Sequence, residues 1–235
     1  MTKSKIRQIL QEKGSLYPSE LGHHFVGISG KHLSGYCNID PALPDIDFIA
    51  EVTRLLVSQF EAGQVDTVLV PATGAIPLAQ WGPHFLKLRS GKPVLGIWAD
   101  KIKPRGFVIQ RAGFAEAIAG RNVLILEDMI NQMYSVKELV RLTRELGGNV
   151  VGVGALVANR TATRDQIGVE QYVRMCEFSY DAWDAANCAL CANGIPIVID
   201  EALGHGKEFQ ELNPVYPGGF ISLLKPSGRY NAISA

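Results

Sequence analysis

The run from Val123 to Ser135 constrains this chain more than any other. Val123, Leu124, Ile125 and Leu126 are apolar and partly β-branched, which suits a strand buried on both faces. Two carboxylates, Glu127 and Asp128, follow without a gap. A short linker leads to Ser135, with Glu138 three residues beyond. Ser-x-x-Glu is capping-box spacing and predicts a helix starting at this serine. Val136, Leu139, Val140, Thr143 and Leu146 give that helix one apolar face, and Gly147-Gly148 ends it. A second strand is predicted from Val150 to Ala158. Strand, acidic pair, loop, helix, strand is a βαβ crossover. It predicts an α/β fold, a mainly parallel sheet flanked by helices, with ligands at the carboxyl ends of the strands.

The rest of the chain supports that class. Residues 4–14 read as a short amphipathic helix. Asp45 to Ala62 carries Ile46, Ile49, Val52, Leu56 and Phe60 at helical spacing, with Gly63 after it. Val65 to Val70 is a strand, followed by Pro71-Ala72-Thr73-Gly74-Ala75-Ile76-Pro77-Leu78-Ala79. Glycine here permits a tight turn, and the exposed N–H groups of such a loop form an anion nest. Pro93 to Trp98 is another strand. The charged stretch Ala99 to Gly106 reads as a solvated loop. The tail, residues 170–235, reads as strands and turns.

The formal net charge is zero, which argues against a nucleic-acid partner held on a broad basic face. No apolar run approaches a membrane span, and the first residues lack the apolar core of a signal peptide. Four cysteines in such a setting fit a reducing, cytoplasmic location. Cys188-Ala189-Leu190-Cys191 is one Cys-x-x-Cys pair. Buried free thiols are one reading. A zinc site at Cys188 and Cys191 is another, although a zinc site needs a second pair of ligands. Cys37, Cys176 and His205 are the unpaired candidates.

Three strand-end motifs stand in order: Pro-Ala-Thr-Gly-x-Ile-Pro-Leu-Ala, the Lys101 to Gly106 stretch, and the apolar run ending in Glu127-Asp128 with Asn131-Gln132-Met133-Tyr134-Ser135 behind it. Together they resemble type I phosphoribosyltransferases over about residues 20–165. Phe25, Ser29-Gly30-Lys31-His32, Tyr36 and Asn38 are similar to the N-terminal hairpin of the orotate branch, as is Asn159-Arg160, where those enzymes have Asp-Arg.

The resemblance implies phosphoribosyl transfer from phosphoribosyl pyrophosphate (PRPP) to a pyrimidine base, orotate in the first place, with release of diphosphate and Mg²⁺ carried by the substrate rather than by protein ligands. It implies that Thr73, Gly74 and Ala75 meet the diphosphate. Glu127 and Asp128 would face the ribose, and Asn131, Gln132 and Ser135 the 5′-phosphate. Lys103 and Arg105 would act from a closing lid, with Asp128 as the third catalytic group. Lys31, His32, Tyr36 and Arg160 would bind the base.

It also implies a homodimer, with no nucleic acid and no membrane as partner. The family's phosphate loop usually reads Thr-Thr-Gly-Gly-Ser; here Met133 and Tyr134 replace both glycines. A non-catalytic nucleotide- or phosphosugar-binding module on the same fold, or a transferase for another base, are the alternatives. The expected organisation is a core over residues 1–175, including a hood hairpin at about 20–40, and a C-terminal extension over 176–235.

Overall fold

The computed structural model describes residues 1–18, 22–27, 29–103 and 106–223. Contacts divide the chain into two units. The first holds Met1–Ile6 and Leu43–Glu177, and the second Arg7–Ala42 and Phe178–Ala235. The expected boundary near residue 175 lies close to the observed one. The N-terminal hairpin, expected within the core, instead groups with the C-terminal tail.

The first unit is built on a six-stranded sheet. In chain order its elements are α1 (Ile46–Val57), β1 (Thr67–Pro71), α2 (Ile76–Ser90), β2 (Leu95–Lys101), β3 (Phe107–Val108), β4 (Asn122–Ile130), α3 (Tyr134–Glu145), β5 (Asn149–Asn159) and β6 (Tyr172–Phe178). The strand order is β6-β5-β4-β1-β2-β3. β1 runs parallel to β2 and to β4, and β4 runs parallel to β5. β2 and β3 pair antiparallel. All five residues of β1 are buried, as a strand covered on both faces requires. Leu69, Ile125, Val123, Val153, Ile118 and Leu139 belong to one buried cluster that joins the sheet to α3.

Local chemistry sets the helix ends. Asp45 caps α1, its carboxylate accepting from the Phe48 N–H at 3.0 Å. That helix ends at Val57 rather than near Ala62, and Gly63 sits within a 3₁₀ turn. The N-terminal helix forms over Lys3–Glu12.

Helix α2 contains Pro83 in its interior. Proline has no N–H, so the Ala79 carbonyl one turn earlier loses its helical donor. That carbonyl lies against Gly96 of β2, where a Cβ would overlap it and also press on the Pro83 ring. The helix therefore approaches the sheet at a point where the strand has no side chain.

Two expectations change on contact with the structure. β2 continues through Ala99, Asp100 and Lys101, which read as loop in the sequence. Asp100 is held there by Arg111, whose Nε and Nη2 donate to its two oxygens at 3.0 Å each. The tail, read as strands and turns, also contains the helices Ala189–Ala192 and Gly206–Leu212.

The second unit has small sheets of two-residue strands. Phe25–Val26, His32–Leu33 and Ala182–Trp183 form one antiparallel sheet. Leu16–Tyr17 pairs with Tyr36–Cys37, and Ile197–Val198 runs parallel to Phe220–Ile221. Tyr17, Phe25, Leu33, Val198 and Leu203 make its buried apolar cluster.

The contact at Gly96 yields a test. Gly96→Ala is expected to destabilise the protein by about 1–3 kcal/mol, the usual cost of overpacking, because a backbone carbonyl cannot rotate away as a side chain can. Denaturant unfolding followed by circular dichroism measures it, with Gly91→Ala as a comparison. Gly91 is a left-handed helix cap with open space around it, so strain there arises from φ alone.

Candidate active site

β1 is the point where the chain changes direction across the sheet. From it the connection through α2 leads to β2 on one side, while β4 lies on the other. In open α/β sheets a ligand crevice forms at such a switch point. The register is Thr67↔Val123, Val68↔Leu124 and Leu69↔Ile125. Continued along both strands, it brings Ala72 level with Asp128. The loop after β1 and the acidic pair of β4 therefore share one edge of the sheet.

The two loops touch. Gly74 lies so close to the Asp128 carboxylate that a Cβ on it would overlap Oδ2. A larger residue at this position would have to displace that carboxylate. Thr73 is exposed, Gly74 half-buried and Ala75 buried. The Ala72–Thr73 peptide bond is cis. Ala75 stands at the N-terminus of α2 and provides no side-chain cap.

The second loop repeats this arrangement. Helix α3 begins at Tyr134, one residue before the predicted start, and is preceded by Met133 with φ 60° and no side-chain cap. The predicted capping box is not formed. Ser135 lies inside the first turn, and Glu138 pairs instead with Arg141 at 3.0 Å. Two helices of 15 and 12 residues thus point uncapped N-termini out of the carboxyl edge of adjacent strands. Both helix dipoles favour anions there; in α2 the first turn is already engaged, since the Ile76 and Leu78 N–H groups donate to the Thr73 and Ala75 carbonyls and residue 77 is proline.

Asn131, Gln132 and Ser135 line a cavity of about 190 Å³ at this turn, together with Glu127 and Tyr134. The Tyr134 ring packs on the apolar cluster and tilts against Phe107 at 6.5 Å between centroids. Asn159 steadies the loop from β5, its amide donating to Asn131 Oδ1 at 3.2 Å while its own Oδ1 accepts from Thr161.

Glu127 and Asp128 are neighbours with different surroundings, because successive strand residues face opposite sides. Glu127 is buried and lines the phosphate-loop cavity; Asp128 is half-buried against Gly74. Burial, and then the charge of Asp128, raise the Glu127 carboxyl well above the usual carboxylate range. Lys101 pulls the other way. Lys101 at the end of β2 is thus the nearest cationic influence on the acidic pair.

The other site residues fall as follows. Lys103 is exposed in the turn of the β2–β3 hairpin, which the Ile102 N–H closes by donating to the Gly106 carbonyl at 3.1 Å. Arg105 lies outside the described residues. Arg160 follows β5, is exposed, and sits 3.6 Å from Glu177. Lys31 is exposed and 3.3 Å from Asp184, and the Tyr36 ring stacks on Phe25. His32 is fully buried, with its ring turned to His24 and Cys191, so it presents no donor to solvent. Sequence reasoning passed over Asn159 as a support for the loop, although its place beside Arg160 was a signal, and it passed over His24 entirely.

A parallel α/β sheet with two uncapped helix ends and an acidic pair at its switch point defines a type I phosphoribosyltransferase. Solved structures share the fold. The orotate phosphoribosyltransferase of Aeropyrum pernix superposes with a TM-score of 0.54 at 22% identity, over 72% of this chain and 92% of that one. The Mycobacterium tuberculosis orotate phosphoribosyltransferase in complex with Fe(III) dicitrate gives 0.53 at 20% identity, over 74% of this chain and 95% of that one.

The sequence relation is nearer. Orotate phosphoribosyltransferase of Desulforamulus reducens is 30% identical over 198 residues, covering 84% of this chain and 96% of that protein. That of Thermotoga maritima is 31% identical over 194 residues, covering 81% and 94%. No protein-family model matches the sequence. The chain belongs to the orotate phosphoribosyltransferase family.

Two predictions follow from the loop and the acidic pair. Because the folded Glu127 holds its proton above the reference value of 4.5, the native state binds more protons than the unfolded one once pH exceeds that value. The contribution of Glu127 is therefore fully present at low pH and lost as pH rises through its folded value. Glu127→Gln is expected to raise the thermal midpoint of the free protein at about pH 8, with the gain fading towards about pH 4. Thermal scans across pH measure it.

Met133 is the one non-glycine residue with positive φ among those described. Met133→Gly is expected to relieve about 1 kcal/mol of left-handed strain and to strengthen phosphate binding, both readable by calorimetry. Tyr134→Gly should instead destabilise, since that ring packs on the core.

Proposed function

We propose that this protein transfers the phosphoribosyl group of PRPP to orotate, giving orotidine 5′-phosphate and diphosphate. The observation that carries this is the meeting of two anion-ready helix ends with a carboxylate between them, the Asp128 side chain lying directly on Gly74. PRPP has that layout: a monophosphate at one end, a diphosphate at the other and ribose hydroxyls between.

In this reading Asn131, Gln132 and Ser135, with the N–H groups of α3, take the 5′-phosphate. Thr73, Gly74 and Ala75, at the positive end of the α2 dipole, take the diphosphate. Asp128 accepts from the ribose hydroxyls, and Glu127 supports it from the buried side. The orotate nitrogen is the nucleophile, so the chain needs none of its own. As the bond from ribose C1 to diphosphate breaks, negative charge grows on the leaving group. Donors already in place stabilise it without reorganisation, and Lys103 and Arg105 add positive charge.

The site's donors are oxygens, which suit a hard cation such as Mg²⁺ that keeps several waters and arrives on substrate phosphates. When bound, it neutralises diphosphate charge. Arg160 is assigned to the orotate carboxylate, where its planar fork can bind two oxygens; it would exchange Glu177 for the substrate. Lys31 and Tyr36 are assigned to the base on the resemblance alone. A homodimer and a cytoplasmic setting accompany this reading. No described helix is long and apolar enough to cross a membrane.

A Tyr134 ring plugging the phosphate turn would favour a non-catalytic module; here the ring packs on the apolar cluster and borders the cavity, which supports the transferase reading.

The test is a titration with PRPP and Mg²⁺, with diphosphate release followed on adding orotate. Binding with orotate-dependent release is expected. Absence of binding at about 1 mM PRPP, the upper end of ordinary KM values, would overturn the proposal. Arg160→Ala should raise the KM for orotate about tenfold or more, as for loss of a charged hydrogen bond, and leave that for PRPP unchanged.

A further inference from the structure

The second unit contains a cluster that phosphoribosyl transfer does not use. His24, His32, Cys188 and Cys191 each turn one ligand atom inward, and these atoms all lie within 4.8 Å of one another. His24 Nε2 is 3.1 Å from His32 Nδ1; His32 Nδ1 is 3.1 Å from Cys191 Sγ; Cys191 Sγ is 3.5 Å from His24 Nε2. We propose that these four residues form a closed tetrahedral Cys₂His₂ zinc site that holds the second unit together.

Geometry comes first. Zinc binds histidine nitrogen at about 2.0–2.1 Å and thiolate at about 2.3 Å. A tetrahedron with those bonds has edges of about 3.3 Å between nitrogens, about 3.5 Å from nitrogen to sulfur and about 3.8 Å between sulfurs. The three separations among His24, His32 and Cys191 are within about 0.4 Å of these values, and Cys188 Sγ lies within 4.8 Å of each of the other three ligand atoms.

The chain builds the cluster from two distant segments. In the hairpin, Phe25 pairs with Leu33 and Val26 with His32, so His24 and His32 occupy diagonal positions on one face. At the other end of the sequence, Cys188 caps the short helix Ala189–Ala192, its sulfur accepting from the Cys191 N–H at 3.4 Å. That turn brings both sulfurs of the Cys-x-x-Cys pair to one side.

Chemistry then selects the ion. Two thiolates and two neutral imidazoles carry a charge of minus two, which a divalent cation cancels inside the protein. Mixed sulfur and nitrogen donors in a tetrahedron favour zinc over magnesium or calcium. Both histidines are fully buried and Cys188 is 3% exposed. Phe209 sets its edge against the His32 ring at 4.7 Å, and Tyr216 lies edge-on to His24. Four protein ligands leave no open position, which marks a structural site rather than a catalytic one.

A reason for the metal lies in the size of this unit. Its strands are two residues long and its apolar cluster is small. Small cores need staples, and this one would tie residues 24–32 to residues 188–191. Cys37 and Cys176 stand outside the cluster.

The test uses the full chain from zinc-supplemented cells, with metal measured by plasma mass spectrometry. About one zinc per chain is expected. Cobalt exchange should give intense visible bands of a tetrahedral ion with thiolate charge transfer. Cys191→Ser should lose the metal, and Cys176→Ser should keep it. If Cys191→Ser does not fold, chelation of the unaltered protein decides. Zinc removal should lower its thermal midpoint, and zinc added back should restore it. Protein that is zinc-free as isolated and takes up none on incubation, or a cobalt form without thiolate bands, would overturn the proposal. None of these readings depends on transferase activity.

Discussion

The parallel pairing of β1 with β4 is the interaction on which the site depends. It sets two strand ends side by side at the level where the backbone leaves the sheet, with Asp128 against Gly74. Each strand then leads into a helix whose first turn lacks a side-chain cap. Uncapped N–H groups are unfavourable in a free protein unless water or a ligand meets them. A buried carboxyl at Glu127 and a left-handed Met133 add to the same local cost. The site therefore carries local costs, and the apolar cluster beneath it holds it in place. Helix α3 shows the division well. Its buried face, Val136, Leu139 and Val140, anchors it to the sheet while its first turn stays open.

What could be read from the sequence follows the range of the forces involved. The βαβ unit was legible because hydrophobic period, acidic pair and terminal glycines are all local. The loop after β1 was legible for the same reason, in that a strand ends, glycine follows and a helix begins. The start of α3 was not. Ser135 and Glu138 have capping-box spacing, but Arg141, three residues on from Glu138, takes that carboxylate. Ala99 to Lys101 read as loop because of Asp100, yet the partner that makes Asp100 tolerable in a strand is Arg111, eleven residues away across the hairpin. A charge in a strand is visible locally; its counterion is not.

The same limit explains the cysteines. One Cys-x-x-Cys pair calls for two further ligands, and the sequence placed none beside it. His24 and His32 lie more than a hundred residues earlier and reach the sulfurs only through folding of the second unit. His32 had been grouped with Lys31 as a donor to the base. Strand geometry separates them, since adjacent residues point to opposite faces. Lys31 faces solvent and Asp184, while His32 faces the sulfur cluster.

That alternation has a consequence for how the two units are held. The first unit buries a continuous apolar cluster. In the second, two imidazoles and the Cys188 thiol occupy the kind of fully buried position that apolar side chains fill elsewhere, with Cys191 partly buried beside them. Buried polar atoms are favourable only when satisfied. Two rings 3.1 Å apart can share a single hydrogen bond between those nitrogens, while the Cys188 sulfur accepts from the Cys191 N–H. A cation satisfies all four at once. The oxygen donors of the first unit suit a hard cation and the sulfur and nitrogen donors of the second a softer one, so the chemistry of the two donor sets would keep such ions apart.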